Sequence, residues 1–333
     1  ESGIQPDILV CRTEHPLNID IKKKVARFCN VEIDAVIESM DASTIYEVPL
    51  LMQKEGLDKV VLRKLGLTDN SDVKLEQWTA FLMGLQNPKE KVTIAVVGKY
   101  VELQDAYKSI SESILHAGAT NSCKVKVNWI HAEEINSSNV QEQLKGINGL
   151  LVAPGFGDRG IEGKIDAISY VRENNIPFFG ICLGMQCAVI EFTRNILGLK
   201  DANSTEVDIK TSTPVIDLIE TQKVVTEKGG TMRLGAYDCQ LTKGSNAIKA
   251  YKKADVSERH RHRYEFNNKF KSALEKKGMV STGINTENNL VEIIEIPNHP
   301  WFVGVQFHPE YKSTVANPHP LFCGFIEACI KNK

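Results

Sequence analysis

The chain has 333 residues, more than a single domain usually contains, so two domains are expected. Its hydrophobic content of 42% and charged content of 25% are ordinary for a globular protein, and its net charge of −2 predicts no general attraction to nucleic acid or membranes. No apolar run reaches the ~20 residues that a membrane-spanning helix needs. The eight cysteines form no C-x-x-C pair, which argues against a zinc site or a disulfide framework, and free thiols favour a reducing cytoplasm.

The first 85 residues alternate strand-like and helical stretches. The chain starts without the basic and apolar segments of a signal peptide. It reaches a strand-like run almost at once and has no initiator Met, so we expect it to begin inside a domain. The predicted elements are a strand at 7–11, a basic amphipathic helix at 19–30, a strand at 35–37 and a helix that opens at 45–49. The polar segment 86–91, which contains a proline and a run of charges, is the predicted linker.

The pattern changes after this linker, where apolar strands alternate with helices. Strands are predicted at 92–97, 124–130, 149–153 and 177–181, and helices at 105–118, 138–145 and 162–174. This alternation predicts an α/β fold with a doubly wound, mostly parallel sheet. Residues 205–245 have an irregular pattern, and residues 291–307 are rich in β-branched and aromatic side chains.

The segment 176–186 predicts a buried strand that runs into a sharp turn, with Cys182 at its apex and a helix just after it. The spacing Gly180-x-Cys182-x-Gly184 is the thiol form of a nucleophile elbow. The positive end of the helix dipole favours the reactive thiolate at this position. Taken by itself, however, a cysteine in a glycine-rich turn is more often a small buried hydrophobic residue.

A base for this thiol is available in the segment His308-Pro309-Glu310. The imidazole can take the thiol proton, and the carboxylate can orient and stabilise it. An isolated His-x-Glu is a weak signal. Its position after a predicted strand, in the right chain order relative to Cys182, makes acyl transfer through a cysteine the preferred interpretation.

Two further segments fit a thiol hydrolase of this kind. The N–H of Leu183 and the turn 153–157 are candidate oxyanion donors, although the turn could also simply end a strand. The run 258–265 is either a solvated basic face or a bonded network that holds a carboxylate. The segment 203–206 predicts a helix cap or a ligand contact equally well.

These motifs together resemble those of one family, the CTP synthases. They are G-I-C-L-G-M-Q (180–186), H-P-E (308–310), N-S-T-E (203–206), G-G-T-M-R-L-G (229–235), R-H-R-H-R-Y-E (259–265) and V-G-K-Y-V-E-L-Q-D-A-Y-K-S (97–109). The Cys–His–Glu set is common to class I glutamine amidotransferases, and the last three motifs narrow the resemblance to CTP synthase. Residues 3–12 and 45–49 resemble the end of that family's synthetase domain.

The resemblance implies a domain organisation and an activity. Residues 1–85 would be the remnant of the synthetase (amidoligase) domain, 86–91 a linker, and 92–333 a complete class I glutamine amidotransferase domain. In such enzymes glutamine hydrolysis supplies ammonia through a channel. ATP, with magnesium, phosphorylates the 4-oxygen of UTP, and ammonia displaces the phosphate to give CTP. GTP activates the coupling, CTP inhibits it, and the enzymes assemble as tetramers and filaments.

The resemblance also assigns roles to individual residues. Cys182 would be the nucleophile, His308 the base and Glu310 its orienter, while Arg263 would bind the α-carboxylate of glutamine. The implied glutamine contacts are Gly155, Leu183, Gly184, Met185, Gln186, Glu206 and Arg263. The implied nucleotide contacts are Lys99, Tyr100 and Lys108 in a GTP-responsive lid, Lys24 near the pyrimidine nucleotide, and Asp41 and Ala42 near ATP. No metal site and no cofactor is expected within this chain.

Three departures from the family pattern qualify these expectations. Pro154 replaces a glycine of the family's P-G-G-F-G loop, and Met40 stands where a lysine is common. No G-x-x-x-x-G-K-[ST] motif occurs, so the chain by itself is expected to hydrolyse glutamine and not to make CTP. Two alternatives stay open: a γ-glutamyl peptidase of the same fold, and a non-catalytic regulatory or assembly subunit.

Overall fold

The computed structural model describes residues 3–68, 73–218 and 232–333. The chain separates into two compact units, Glu1–Leu82 and Met83–Lys333. The division falls within one helix, α4 (Glu76–Gln86). No helix among the described residues is long and apolar enough to cross a membrane.

The described part of the first unit contains a two-stranded parallel sheet, three complete α-helices and most of α4. Its elements are β1 (Leu9–Thr13), α1 (Ile19–Cys29), β2 (Val36–Met40), α2 (Val48–Lys54) and α3 (Leu57–Lys64). Helix α1 begins where the Asn18 side chain accepts a hydrogen bond from the N–H of Ile21, and it ends at Asn30 in a left-handed conformation. A small core of Ala35, Ile37 and Val60 packs between the sheet and the helices.

The second unit is built on a nine-stranded sheet. Its elements are β3 (Glu90–Gly98), α5 (Lys108–Thr120), β4 (Cys123–His131), α6 (Val140–Gln143), β5 (Gly149–Val152), α7 (Ile161–Glu173), β6 (Phe178–Ile181), α8 (Leu183–Asn195), β7 (Ala202–Ser204), β8 (Thr213–Asp217), β9 (Arg233–Leu241), α9 (Asn246–Tyr251), β10 (Asp255–His262), β11 (Glu265–Phe266), α10 (Lys271–Lys276), β12 (Val280–Asn285), β13 (Leu290–Glu295), β14 (Phe302–Val305) and α11 (Pro320–Lys331). Strands β7, β8 and β11 form a separate small sheet.

The strand order of the large sheet is β10-β9-β12-β13-β14-β6-β5-β3-β4. The five strands from β14 to β4 are parallel, and the four from β10 to β13 continue the sheet in antiparallel pairs. The α/β class predicted from the sequence is confirmed. Because β14, β6, β5 and β3 are parallel neighbours, the segments that follow them meet at one edge of the sheet.

Hydrophobic clusters cover both faces of this sheet. Helices α7 and α8 contribute Ile165, Ile168 and Ile190 to one cluster. Helices α5 and α11 contribute Ile114 and Phe325 to the other. With both faces covered, the central strands are fully buried, which explains their continuous apolar sequences.

The helix predicted at 138–145 is much shorter in the structure, where α6 covers only Val140–Gln143. Its N-terminal flank is held by local side-chain hydrogen bonds instead. The Asn136 side chain accepts from the N–H of Ser138, and the Asn139 side chain donates to the Glu134 carbonyl. Such bonds compete with helix formation, which is why asparagine and serine favour turns.

Candidate active site

Cys182 occupies a strained turn between β6 and α8. Its backbone has φ 53° and ψ −104°, a conformation that costs a non-glycine residue about 1–3 kcal/mol. The turn is held by a 2.7 Å hydrogen bond from the Cys182 N–H to the Val305 carbonyl on β14. A Cβ atom on Gly184 would lie 2.3 Å from the Val152 carbonyl oxygen, so only glycine lets α8 start this close to β5.

His308 and Glu310 form a buried pair in the segment that follows β14. The Nδ1 atom of His308 lies 2.7 Å from Oε1 of Glu310, and both side chains are almost fully buried. The His308 N–H donates to the Arg259 carbonyl, and the Tyr311 ring stacks on the imidazole at 5.1 Å. Because the carboxylate accepts a hydrogen bond from the Nδ1–H group, the other ring nitrogen, Nε2, is left for the reaction.

The surroundings of His308 favour its protonated form. Burial disfavours the imidazolium, but the interactions with Cys182 and Glu310 outweigh burial and raise the pKa of His308 to about 11. Nε2 has no hydrogen-bond partner of ordinary geometry among the described residues, so its interaction with the thiol is looser than a standard hydrogen bond. Such contacts often tighten only when substrate binds. The arrangement places a protonated imidazole beside the Cys182 thiol.

A second polar side chain reaches the thiol. The Nε2 amide of Gln306 lies 3.7 Å from Sγ of Cys182, and its Oε1 accepts a 3.2 Å hydrogen bond from Gln186. Gln186 also donates to the Tyr264 carbonyl. The sequence analysis did not identify Gln306. Its position two residues before His308, directly after a strand, is the signal that could have indicated it.

The turn after β5 provides candidate oxyanion donors. The N–H groups of Gly155 and Leu183 make no hydrogen bond within the described part of the chain, and Pro154 has no N–H to offer. The peptide group between Phe156 and Gly157 is held from both sides. The Gly157 N–H donates to Oε1 of Glu206 at 2.9 Å, and the Lys99 ammonium donates to the Phe156 carbonyl. Opposite ends of one planar trans peptide are therefore anchored.

A cavity of about 120 Å³ lies over the thiol. Its lining residues are Gly155, Phe156, Cys182, Gln186, Glu206, Met232, His262, Arg263 and Tyr264. Glu206 and Arg263 place opposite charges on this cavity, and the Nε of Arg263 is buried with no hydrogen-bond partner among the described residues. A carboxylate group of a ligand would satisfy this guanidinium.

The structure gathers most of the sequence-predicted glutamine contacts at this cavity. Leu183 lies beside it, because a Cβ atom on Gly155 would be 3.5 Å from the Leu183 side chain. Gly184 and Met185 do not line the cavity. Gly184 packs against β5, and the fully buried Met185 packs in the core.

The predicted lid residues lie in different environments. Lys99 is buried and, besides Phe156, donates to the Gly157 carbonyl at 3.3 Å. Tyr100 is 50% exposed, and its N–H donates to the hydroxyl of Tyr107. Lys108 is exposed and pairs with Glu112 on the same helix at 2.7 Å.

The other predicted nucleotide contacts belong to the first unit. Lys24 is exposed on α1, and Ala42 is half-buried after β2. The Asp41 carboxylate pairs with Arg12 at 3.0 Å, and both side chains are largely exposed.

The charged segment 258–265 forms a bonded network behind the cavity. Arg233 pairs with Glu265 at 3.2 Å and with Glu292 at 2.8 Å, and His260 and His262 lie 2.9 Å apart. Burial, together with the neighbouring charges, lowers the pKa of His260 to about 2 and that of His262 to about 3, so both rings are neutral. Of the 229–235 motif, residues 229–231 lie outside the described residues.

Comparisons with known proteins place this site in a family. The family model "Glutamine amidotransferase class-I" matches residues 102–328, and the model "CTP synthase N-terminus" matches residues 1–67. The chain belongs to the class-I glutamine amidotransferase family. A solved structure of a Trypanosoma brucei CTPS glutaminase domain with bound acivicin has a TM-score of 0.69 and 36% identity, and the match covers 72% of this chain and 94% of that one.

Curated relatives of this glutamine amidotransferase are CTP synthases. The protein of Cytophaga hutchinsonii is 64% identical over 98% of this chain and 61% of its own length. That of Flavobacterium psychrophilum is 60% identical over the whole chain and 62% of its own length. The chain thus spans about three fifths of the relatives that it matches. The resemblance to CTP synthases inferred from the motifs is confirmed.

Proposed function

We propose that the unit Met83–Lys333 hydrolyses glutamine to glutamate and ammonia through a γ-glutamyl thioester on Cys182, as the glutaminase half of a CTP synthase. The observation that carries this proposal is the cavity over Cys182, which has Glu206 and Arg263 on its wall and the buried His308–Glu310 pair beside the thiol. This arrangement combines a nucleophile, a proton carrier and recognition groups for an amino acid.

In the first step the Cys182 thiolate attacks the amide carbon of the glutamine side chain. The carbonyl oxygen gains negative charge, which the N–H groups of Leu183 and Gly155 stabilise. The His308 imidazolium gives its proton to the amide nitrogen. The carbon–nitrogen bond then breaks, and ammonia leaves the thioester behind.

In the second step water hydrolyses the thioester. Neutral His308 takes a proton from the attacking water, and the tetrahedral intermediate expels the Cys182 thiolate. Glutamate leaves, and the thiolate–imidazolium pair is restored. Glu310 stabilises the imidazolium at both stages through its 2.7 Å contact with Nδ1.

Recognition of glutamine follows from the charges on the cavity. Arg263 is placed to bind the α-carboxylate in two parallel hydrogen bonds. Glu206 is placed to attract the α-ammonium group while it also accepts from the Gly157 N–H.

The activity of the whole protein is a further part of the proposal. Its relatives are CTP synthases, so the ammonia would aminate UTP in a reaction that uses ATP and magnesium and that GTP activates and CTP inhibits. A homo-oligomer in the cytoplasm is expected for such an enzyme. The proposed nucleotide contacts remain Lys24, Asp41, Ala42, Lys99, Tyr100 and Lys108. This chain itself is expected to hold no cofactor.

An ammonia-release assay tests the proposal. The purified chain is given glutamine, with and without GTP, and is compared with Cys182→Ala and with the control Cys323→Ala. We expect ammonia release that Cys182→Ala abolishes and Cys323→Ala preserves. Release that survives Cys182→Ala would refute the assignment of the nucleophile. A folded but inactive chain would favour an assembly role, and a preference for γ-glutamyl peptides would favour a peptidase.

A further inference from the structure

Lys164 on α7 is a buried cation with an unusual environment. Its side chain is 0% exposed, although lysine is almost never fully buried without an ionic partner. Within the described residues its ammonium makes one hydrogen bond, a 3.4 Å contact with the Ala153 carbonyl, and it pairs with no carboxylate. An ammonium group that is buried with so little compensation weakens the folded state. A charge that is kept at such a cost often serves a functional purpose.

The position of this ammonium points to such a purpose. Ala153 is the first residue of the turn that contains Pro154 and Gly155. A Cβ atom on Gly155 would lie 3.9 Å from the Lys164 Nζ and 3.5 Å from the Leu183 side chain. The positive charge therefore lies next to Gly155, one of the two residues whose N–H groups are the candidate oxyanion donors.

The groups around Lys164 leave its charge unneutralised in the resting protein. Burial lowers the pKa of Lys164 most strongly, and the charge of Lys99 acts in the same direction. The Cys187 and Cys182 thiols partly oppose them, so the pKa is about 8. The ammonium is therefore largely protonated at neutral pH. Burial raises the pKa of Cys187 to about 11, so that thiol stays neutral. The negative charge available to this lysine is that of the Cys182 thiolate and of the tetrahedral intermediate.

The composition of the turn increases the importance of this charge. Pro154 contributes no N–H, and the Gly157 N–H already donates to Glu206. The donors that remain are those of Gly155 and Phe156. With so few N–H donors in the turn, the nearby Lys164 charge matters more. It acts in a water-poor environment, where a positive charge stabilises a nearby negative charge strongly.

We propose that Lys164 is a positioning residue of the oxyanion site, which holds the Ala153 carbonyl behind Gly155 and adds positive charge where the intermediate becomes negative. This inference rests on the proposed glutaminase function. Lys164 does not touch the substrate and acts through the turn 153–157 and through its field.

The test compares Lys164→Met and Lys164→Arg with the wild type and with Lys145→Met, which removes an exposed lysine. Because an indirect charge is worth less than a direct donor, kcat for ammonia release should fall about 10- to 100-fold in Lys164→Met. KM should change less than about threefold, because Glu206 and Arg263 are intact. Lys164→Arg should retain more activity than Lys164→Met, and Lys145→Met should match the wild type. A kcat within threefold of the wild type in folded Lys164→Met would overturn the proposal.

Two further measurements separate a catalytic effect from a structural one. The urea unfolding midpoint of Lys164→Met should stay the same or rise, since methionine is buried without a charge. The wild-type kcat/KM should decline above about pH 8 as Lys164 loses its proton, and Lys164→Met should lack this decline. The same decline in both proteins would contradict the assignment. If Lys164→Met fails to fold, Lys164→Gln takes its place in every comparison.

Iodoacetamide labelling keeps the proposal testable if the wild-type chain releases no ammonia. In that case the glutaminase proposal fails, whereas the effect of the lysine charge on Cys182 can still be measured. Labelling of Cys182 should need a higher pH in Lys164→Met than in the wild type, because the thiolate loses a nearby positive charge. Superimposable labelling profiles would overturn the role of Lys164.

Discussion

At the scale of single residues, the site is organised around one proton. His308 carries it, because contacts with Cys182 and Glu310 raise the pKa of the ring to about 11 despite burial. The imidazolium is therefore present throughout the neutral range, and it is lost only as the pH rises through about 11. At neutral pH the ring is therefore ready to protonate departing ammonia.

Glu310→Gln tests the support that the carboxylate gives to this ring. The amide removes the negative charge beside Nδ1, so the pKa of His308 should move down towards its usual range and the imidazolium should become scarcer. We expect kcat for ammonia release to fall by about 10²–10⁴-fold, the usual contribution of general acid–base catalysis. Glu327→Gln, at an exposed carboxylate on α11, is the control and should leave kcat unchanged. Equal rates in the two variants would contradict the role of Glu310.

Arg263→Gln tests recognition of the substrate. Arg263 should bind the α-carboxylate through charged hydrogen bonds worth about 1.5–3 kcal/mol, so its loss should raise KM for glutamine by about 10- to 150-fold. The matched control is Arg261→Gln, which lies two positions earlier on the exposed side of β10. Steady-state kinetics measure both variants. A similar KM in the two would show that Arg263 does not contact the carboxylate.

The sequence predicted part of this site, and the reasons differ from residue to residue. Cys182, His308 and Glu310 can be predicted from the sequence, because a glycine-flanked turn and a histidine after a strand are local patterns. Gln306 was missed because glutamine carries no chemical signature until its amide is placed near the thiol. Lys164 was missed because its sequence neighbours do not show that α7 turns this residue into the core.

At the scale of elements, four parallel strands create the site. Cys182 follows β6, the turn 153–157 follows β5, Lys99 follows β3, and the segment 306–310 follows β14. The alternation of strands and helices predicts a parallel sheet but does not give the strand order. The order is set by tertiary packing, and it is the order that makes these four segments neighbours.

A buried network supports these elements from β9, β11 and β13. Arg233 contacts both Glu265 and Glu292, and burial raises the pKa values of both carboxyl groups, that of Glu265 to about 8. Removal of the Arg233 guanidinium would leave these two buried carboxyl groups without their arginine partner. The sequence predicted a bonded network for 258–265 but could not supply Arg233 and Glu292 as its distant members.

Arg233→Met should destabilise the second unit by about 3–5 kcal/mol, the usual effect of breaking a buried ion pair. Urea unfolding measures this loss. Lys331→Met is the control, because its pair with Glu327 is exposed and should contribute about 0–1 kcal/mol. A loss for Arg233→Met no larger than that of the control would contradict the structural role of the network.

At the scale of the whole molecule, the residues proposed for glutamine hydrolysis all lie in the unit Met83–Lys333. The unit Glu1–Leu82 contains the match to the CTP synthase N-terminus and several of the proposed nucleotide contacts. The sequence predicted two domains from length and composition. The compact unit after residue 82 is built on a nine-stranded sheet, and it has its own large hydrophobic core.

The most direct test of the account is to trap the covalent intermediate. The purified chain is mixed with glutamine, quenched in acid during turnover, digested and analysed by mass spectrometry. We predict one γ-glutamyl group on the peptide that contains Cys182, and no such group in Cys182→Ala. Ammonia release with the glutamyl group on another residue, such as Cys187, or on none at all in a burst-phase experiment, would contradict the proposed mechanism.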